Sequence, residues 1–231
     1  MLLLYLIKIW VGAMKRLYNA LNLKKLLVLK ELGIDYVEPI KELKGDVLEL
    51  PNNIEELKKI VLNCHLCELS KSRTNVVFGE GNTNAKLMFV GEAPGANEDL
   101  QGRPFVGRAG ELLTKMIENV LYIKRSSVYI ANIVKCRPPN NRTPTLSEAL
   151  TCRPYLLKQI EIIKPKIIVA LGSTAYRYLT NDNTPITKVR GHIIDINGYK
   201  LIPTYHPSYL LRNPSAKKEA YIDMLKVKEL L

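Results

Sequence analysis

KIIVALGST, at residues 166–174, is an unbroken apolar run rich in β-branched residues that ends in Gly-Ser-Thr. Strands buried on both faces of a parallel sheet have this composition, whereas strands with one solvent-exposed face alternate apolar and polar residues. A helical pattern follows at once, over residues 173–179. The stretch therefore predicts a parallel strand inside a sheet, followed directly by a helix.

Three more short apolar runs have the same character: residues 86–90 (KLMFV), 128–134 (VYIANIV) and 201–205 (LIPTY). Helical patterns occupy residues 110–121 and 146–163 between them, and IEELKKIVLN (54–63) is a further helix that Asn52 or Asn53 is expected to cap. HIIDINGYKLI predicts a hairpin with Asn197-Gly198 as a type I′ turn. Together these segments predict an α/β sandwich on a mostly parallel sheet.

The chain divides into a predicted N-terminal helical extension, residues 1–50, and one main domain, residues 51–231. Leu and Lys recur at helical spacing in LNLKKLLVLKELG, which Gly33 ends. The first residues, MLLLYLIKIWVGAM, are apolar, but Lys8 interrupts them and no cleavage site follows. We expect a helix packed on the domain, or Met14 as the true start, and a cytoplasmic protein without a membrane segment.

The composition is that of a globular protein, with 47% apolar and 24% charged residues, which excludes the disordered and fibrous classes. Lys and Arg total 34 against 22 Asp and Glu, a net charge of +12. This excess favours a polyanionic partner. A lysine-rich solvated surface of the kind found in thermophile proteins explains it equally well.

Unusual polar segments follow each predicted parallel strand. GEAPG follows the first, KCRPPNNR comes soon after Asn132 in the second, GST follows the third and HPS the fourth. Ligands of open α/β sheets bind outside the carboxyl ends of the strands. These four segments are therefore expected to converge on one site.

Four cysteines form a second candidate site. Cys64 and Cys67 make a C-x-x-C pair, whereas Cys136 and Cys152 are far apart and each precedes Arg-Pro, which is expected to hold the chain extended. One pair with two distant thiolates favours a [4Fe–4S] cluster. Zinc, which more often uses two such pairs, is the second alternative, and disulfides are the third. The sequence carries no nucleotide-binding fingerprint, so we expect a structural cluster and no nucleotide cofactor.

GEAPGANEDLQGRPFVGRAGELL, ANIVKCRPPNNRTP and TYHPSYLLR, with the C-x-x-C pair ahead of them, resemble the type 4 uracil-DNA glycosylases, the iron–sulfur class of thermophilic bacteria and archaea. The resemblance begins at about residue 63 and continues to the C-terminus. It implies a three-layer α/β/α sandwich around a four-stranded parallel sheet and hydrolytic release of uracil from single- or double-stranded DNA by a monomer. It also implies a [4Fe–4S] cluster held by the ligands Cys64, Cys67, Cys136 and Cys152.

Three residues suit recognition of a uracil flipped out of DNA. Phe105, in a glycine-flanked loop, is expected to stack on the base. The Asn132 amide, in an otherwise apolar strand, offers both a donor and an acceptor, which match uracil O4 and N3–H but not cytosine. His206 is placed to donate to uracil O2 as negative charge develops on the leaving base.

The GEAPG segment supplies the rest of the expected pocket through Glu92, Ala93 and Pro94. In better-known relatives an aspartate that positions water stands where this chain has Ala93, so Glu92 or Asn141 is expected to orient the water. Where those relatives exclude the thymine methyl with a tyrosine, this chain has Gly95, and the family suggests that Glu98 fills the space. The expected catalytic residues are Glu92, Asn132 and His206.

Basic and apolar residues at the same edge are expected to hold DNA. Lys135 and its basic neighbours would contact phosphates, while Leu210 or Leu211 would wedge into the base stack. The residues expected to contact DNA are Arg137, Asn141, Arg142, Leu210, Leu211 and Arg212.

Two alternatives stay open from the sequence. A type 5 relative of broader base specificity would lack the glutamate of the first motif, so Glu92 argues against it. A non-catalytic iron–sulfur DNA-binding module would be expected to have lost Asn132 or His206, and both are present.

Overall fold

The computed structural model describes residues 50–196 and 198–231. The predicted N-terminal extension, apart from Leu50, and the alternative start at Met14 lie outside the described residues. So does Asn197, and with it the predicted turn type.

The strands of the described residues form one mixed sheet in the order β1–β3–β2–β4–β6–β5. Their bounds are β1 Glu80–Gly81, β2 Leu87–Gly91, β3 Tyr129–Asn132, β4 Ile167–Leu171, β5 Ile194–Ile196 and β6 Tyr199–Thr204. The four central strands are parallel, and β1 and β5 are antiparallel edge strands. The predicted count of four strands is therefore too low by two. The four apolar runs are the four parallel strands, and β5 is the first strand of the hairpin predicted from HIIDINGYKLI. β1 has only two residues, too few to show a pattern.

β4, the strand predicted from KIIVALGST, lies between β2 and β6, and all five of its residues are buried. Val169 pairs with Phe89 of β2 on one side and Ile202 of β6 on the other. Burial on both faces explains why the run has no polar alternation.

Helices cover both faces of the sheet and create two hydrophobic cores. Met88 of β2 packs in one core with Leu156, whereas the next residue, Phe89, packs in the other with Met224. Successive side chains of a strand point to opposite faces, so this alternation defines the three-layer α/β/α arrangement.

The α-helices of the described segments are α1 Ile54–Leu62, α2 Leu69–Ser72, α3 Ala96–Gln101, α4 Arg108–Met116, α5 Leu146–Ile163, α6 Ser173–Thr180, α7 Ile186–Val189, α8 Pro207–Arg212 and α9 Lys217–Glu229. Asn53, one of the two expected caps, accepts hydrogen bonds from the amides of Glu55 and Glu56 at the start of α1. A π-helical turn, Ile117–Leu121, continues α4, so the pattern predicted over 110–121 is helical throughout. Within the part of the chain described, no helix has both the length and the hydropathy to cross a membrane.

One local prediction is wrong. Arg153-Pro154 was expected to hold the chain extended after Cys152, but Pro154 lies inside α5. A proline within a helix removes one backbone hydrogen bond without preventing helix formation on either side. After Cys136 the expectation is correct, since Pro138 has extended backbone angles, φ −70° and ψ 144°.

Candidate active site and metal centre

A pocket of about 630 Å³ opens at the carboxyl ends of the four parallel strands. Each strand contributes the residue that ends or follows it: Glu92 after β2, Asn132 of β3, Gly172 after β4 and His206 after β6. The four polar segments predicted to converge do so here.

Most of the predicted site residues line this pocket. They are Glu92, Ala93, Pro94, Glu98, Phe105, Asn132, Asn141, Arg142, His206 and Arg212. Arg137, Leu210 and Leu211 are outside the lining.

Asn132 is the last residue of β3 and is 1% exposed, yet its side-chain Oδ1 has no hydrogen-bond partner. A buried polar atom without a partner is costly, by about 1–3 kcal/mol. The amide lies beside Gly91, where a Cβ atom would come within 2.5 Å of Oδ1. Only glycine leaves room for the side chain, and the unpaired oxygen is available to a donor in the pocket.

Phe105 has a left-handed backbone, with φ +53°, which is uncommon for a residue other than glycine. Glu98 stabilises the loop that follows, because its Oε1 accepts hydrogen bonds from the amides of Val106 and Gly107, at 2.9 and 3.0 Å. The other oxygen of this carboxylate lies next to Gly95, 2.7 Å from where a Cβ would be. The loop places the phenyl ring 5.6 Å from the His206 ring, centre to centre, at the side of the pocket.

His206 precedes α8, and its Nδ1 accepts a hydrogen bond from the backbone amide of Ser208 at 3.1 Å. Burial lowers the pKa of His206 to about 4; the charge of Arg212 lowers it further and that of Glu98 opposes the shift. The ring is therefore neutral at pH 7. Because Nδ1 is an acceptor, the hydrogen bonds assign the ring proton to Nε2, where it can be donated.

The Glu92 carboxylate accepts a short hydrogen bond from the hydroxyl of Thr174, in α6. Thr174 belongs to the GST segment after β4, so neighbouring strands fix the position of this carboxylate. The sequence indicated GST as part of the edge without indicating this contact.

Two of the side chains predicted to contact DNA are buried. Lys135 is 1% exposed, so the expectation that it contacts phosphate is wrong. Leu210 is also 1% exposed and belongs to a hydrophobic core, which makes it unsuitable as a wedge and leaves Leu211 as the candidate. The run HPSYLLR alternates too little to reveal which of its two leucines faces inward.

Arg142 forms a bidentate ion pair with Glu148, at 2.7 and 2.8 Å. This contact lowers the pKa of Glu148 to about 2, and the same carboxylate accepts the amide of Thr145 at the start of α5. Arg142 thus stabilises a helix start at the pocket rim, and its side chain remains 42% exposed. Arg137 is half-buried and donates to Asn141 Oδ1 at 2.8 Å.

Sequence reasoning missed one residue at the rim. Tyr209 is 37% exposed, lines the pocket, and packs its ring 4.9 Å from that of Tyr205. An aromatic ring held by a second ring and open to solvent can stack a base. Its position directly before the two leucines was the only indication in the sequence.

All four cysteines line one small pocket on another part of the domain. Cys64 follows α1, Cys67 precedes α2, Cys136 follows β3 and Cys152 lies in α5. All four are free thiols, so the disulfide alternative is wrong for this structure.

Hydrogen-bond donors surround the sulfur atoms. Arg73 donates to Cys136 Sγ at 3.2 Å, the backbone amide of Lys135 to Cys152 Sγ at 3.3 Å, and the Tyr155 hydroxyl to Cys64 Sγ at 3.5 Å. Burial raises the pKa of Cys136, and Arg73 opposes this. Burial also raises the pKa of Cys152, to about 12. Such donors stabilise thiolates, the form in which cysteine binds metal.

The four thiols line one small space. Among residues 50–196 and 198–231, no three His, Cys, Asp or Glu side chains are arranged to hold a single metal ion. Four thiolates around one zinc, each at about 2.3 Å, must be closely grouped. A [4Fe–4S] cluster takes one thiolate on each iron, so a set of four cysteine donors fits that group.

Comparisons with known proteins agree with this geometry. Residues 78–226 match the family model described as the uracil DNA glycosylase superfamily. The chain is 56% identical over 167 residues to a type-4 uracil-DNA glycosylase of Thermotoga maritima, covering 70% of this chain and 86% of that protein. It is 49% identical over 188 residues to the type-4 enzyme of Saccharolobus solfataricus, covering 78% and 87%.

A type-5 uracil-DNA glycosylase of Pyrobaculum aerophilum is a more distant relative, 33% identical over 146 residues, with 56% of this chain and 64% of that protein covered. The identity to the type-4 proteins is higher and extends over more of both chains. The resemblance found in the motifs is confirmed: the chain is a type 4 member of the uracil DNA glycosylase superfamily.

Proposed function

We propose that this protein hydrolyses the N-glycosidic bond of deoxyuridine in DNA, releasing uracil and leaving an abasic site. The observation that carries the proposal is the buried Oδ1 of Asn132, which lacks a partner in a pocket that also holds Phe105 and a neutral His206. Uracil supplies the missing donor through N3–H. Cytosine presents an acceptor at that position and would leave Oδ1 facing a second lone pair.

The reaction needs a leaving-group donor and a water. As the bond between N1 and C1′ breaks, its electron pair remains on the base, and His206 Nε2–H donates to uracil O2 to stabilise the charge. Water adds to C1′ and gives up one proton, and uracil leaves protonated after the charge is neutralised. Glu92, held by Thr174, orients this water, with Asn141 as the second candidate.

The same pocket accounts for base selection. Phe105 provides the face on which a flipped base stacks. The Glu98 carboxylate lies beside Gly95, and we propose that it fills the space that a 5-methyl group would need and so disfavours thymine. Ala93 and Pro94 supply backbone and apolar surface to the same wall.

DNA is held at the pocket rim by charge and stacking. Arg212 is exposed there and contacts phosphate, with Arg137 and Arg142 as further candidates. Tyr209 stacks against a base next to the vacated position, and Leu211 is the remaining candidate for a wedge. The protein is proposed to act as a monomer in the cytoplasm, where its DNA substrate lies, and to need no nucleotide cofactor.

We assign a [4Fe–4S] cluster to Cys64, Cys67, Cys136 and Cys152. The four free thiols that line one pocket and the hydrogen-bond donors at three of the sulfur atoms support the assignment. When bound, the cluster joins α1 and α2 to β3 and α5, and its binding free energy stabilises the fold. Anaerobically purified protein should contain four irons per chain, whereas one zinc without iron would contradict the assignment.

The decisive test uses purified protein and oligonucleotides that carry uracil, cytosine, thymine or hypoxanthine at one position, followed by alkaline cleavage of abasic sites. We expect cleavage at uracil only. Release of several bases would favour the type-5-like alternative. DNA binding without cleavage would favour the non-catalytic DNA-binding module. Asn132→Ala should abolish most of the activity, while Asn84→Ala, at an exposed asparagine away from the pocket, should retain it.

A further inference from the structure

Lys135 is a buried cation that the proposed reaction does not use. Its side chain is 1% exposed, and its Nζ donates to the backbone carbonyl of Asn132 at 2.9 Å and to Gln159 Oε1 at 2.6 Å. Both acceptors are neutral. None of the ion pairs found in the described segments includes Lys135.

Lys135 lies directly at the cysteine centre, because Cys136 is the next residue and the Lys135 amide donates to Cys152 Sγ at 3.3 Å. A buried charge is stable only when it is paired and hydrogen-bonded. Thiolates of an occupied metal centre are fixed negative charges, so they supply the counter-charge that carboxylates do not supply here.

The same ammonium fixes the backbone of Asn132. β3 ends at this residue, and the next two amides, of Ile133 and Val134, donate to the carbonyls of Gly91 and Glu92. The Asn132 carbonyl is bound on the other side by Lys135. The peptide unit that orients the Asn132 side chain is therefore held from both sides.

Gln159 prevents the ammonium from shifting. Its Nε2 donates to the carbonyl of Phe78 at 2.9 Å and to the Tyr129 hydroxyl at 3.1 Å, so its Oε1 has a fixed position. Gln159 is completely buried within α5, the helix that also carries Cys152. One rigid set of contacts thus extends from the cysteine centre to the base-recognition amide.

We propose that Lys135 is a positioning residue shared by the two sites: it balances the charge of the thiolate centre and holds Asn132 in the orientation that recognises uracil. The inference rests on the proposed function, in which Asn132 binds the base and the four thiolates bind the cluster. It assigns the cluster no chemical step. It does make the geometry of the uracil pocket depend on a cation that the cluster's ligands stabilise.

The test compares DNA affinities without turnover. Two oligonucleotides are used, one with 2′-fluoro-2′-deoxyuridine, which resists hydrolysis, and one with a tetrahydrofuran abasic analogue at the same position. The ratio of their affinities isolates the contribution of the base. Lys135→Met, which keeps the apolar stem and removes the ammonium, should lower this ratio about 10-fold, as expected for misplacing a hydrogen bond to the base. Affinity for the abasic oligonucleotide should not change.

A double-mutant cycle separates positioning from general destabilisation. If Lys135 acts through Asn132, Lys135→Met should lower the ratio no further in an Asn132→Ala background. Losses that add in the double variant would overturn the positioning role. Lys166 is an exposed lysine directly before β4, at the amino end of that strand and so away from the pocket. Lys166→Met is the matched control, and its affinity ratio should equal that of the wild type.

The second measurement is the rate at which bound iron is lost to a chelator at pH 7. Lys135→Met should lose iron several-fold faster than the wild type, whereas Lys135→Arg, which keeps the charge, should not. Equal rates for the methionine variant and the wild type would overturn the charge-balancing role. If Lys135→Met does not fold, Lys135→Arg takes its place in the double-mutant cycle, because a guanidinium cannot place its donors where Nζ lies.

The wild-type protein distinguishes this inference from the proposed function. If the wild type shows no preference for the fluorinated uracil oligonucleotide, the proposed function fails. If it shows the preference and Lys135→Met retains it, only the role of Lys135 fails.

Discussion

His206 is the residue whose protonation state decides whether it can donate to a leaving uracil. Burial lowers its pKa to about 4, so the neutral ring persists as the pH falls through the ordinary histidine range near 6.5. Below about 4, both ring nitrogens would be donors, and Nδ1 would oppose the Ser208 amide that now donates to it. We therefore expect single-turnover excision to show no histidine-dependent loss of rate between pH 7.5 and 5.

Proton NMR of the His206 ring tests this directly, with the signal assigned by its absence in His206→Gln. The signal should not titrate above about pH 5, and a midpoint near 6.5 would contradict the prediction.

The lowered pKa of His206 also predicts an effect of pH on stability. Between about pH 6.5 and 4, the His206 ring is protonated in the unfolded chain but stays neutral in the folded protein. The contribution of His206 to the free energy of unfolding is therefore complete above about pH 6.5 and is lost as the pH falls toward 4.

Asn132→Asp changes which base the pocket matches. An ionised carboxylate can accept from uracil N3–H but cannot donate to O4, so uracil excision should fall strongly. Cytosine offers its N4 amino group as a donor, and we expect weak but measurable cytosine release. Single-turnover rates on uracil and cytosine oligonucleotides measure both effects. Undiminished uracil excision would show that Asn132 does not recognise the base.

The end of β2 determines whether the pocket can form. A Cβ on Gly91 would lie 2.5 Å from Asn132 Oδ1 and 2.6 Å from the Phe105 ring. Gly91→Ala should therefore displace the amide and the ring together, lower the free energy of unfolding by about 1–3 kcal/mol, and reduce excision at least ~100-fold.

The comparison that interprets this result is Gly198→Ala. Gly198 has φ +90° and no atom within 4 Å of a would-be Cβ, so alanine there strains the backbone without touching the pocket. Its cost should be about 1 kcal/mol, with the excision rate unchanged. A similar loss of rate in both variants would mean that lowered stability, rather than pocket geometry, explains the effect of Gly91→Ala.

The sequence predicted these elements to different extents. β4 and its neighbours were predictable because burial on both faces leaves an unbroken apolar run, as in KIIVAL. β1, with the two residues Glu80–Gly81, carries no such pattern and exists because it pairs with β3. The left-handed Phe105 was equally hidden, since its backbone depends on Glu98 accepting two amides from the loop that follows.

Across the whole domain, sequence order predicts which segments meet at the carboxyl ends of the strands, because parallel strands end on the same side. It does not predict burial within a motif. Lys135 and Leu210 lie in segments that do reach the pocket edge, and yet both side chains are turned into the interior. Tyr209, between His206 and Leu210, is turned out. Helix phase and strand departure angles determine these directions, and both depend on packing with distant elements.

The net charge of +12 is also a property of the whole molecule, and it predicts how DNA affinity depends on salt. Each phosphate contact releases counterions, so the slope of log K against log[salt] scales with the number of contacts, by ~0.9 each on duplex and ~0.7 on single strands. Arg212 is exposed at the pocket rim. Arg212→Ala should lower the slope by the amount of one phosphate contact, ~0.9 on duplex or ~0.7 on single strands. It should weaken binding to uracil and cytosine oligonucleotides equally.

Lys166→Ala removes the same unit of charge near the start of β4, away from the pocket. If the positive charge acts through contacts at the rim, this variant should keep the wild-type slope, since a charge beyond a Debye length of ~8–10 Å is largely screened. Equal reductions in both variants would mean that the basic surface attracts DNA as a diffuse field. A slope near zero in the wild type would leave the lysine-rich surface as a solvation feature without a role in binding.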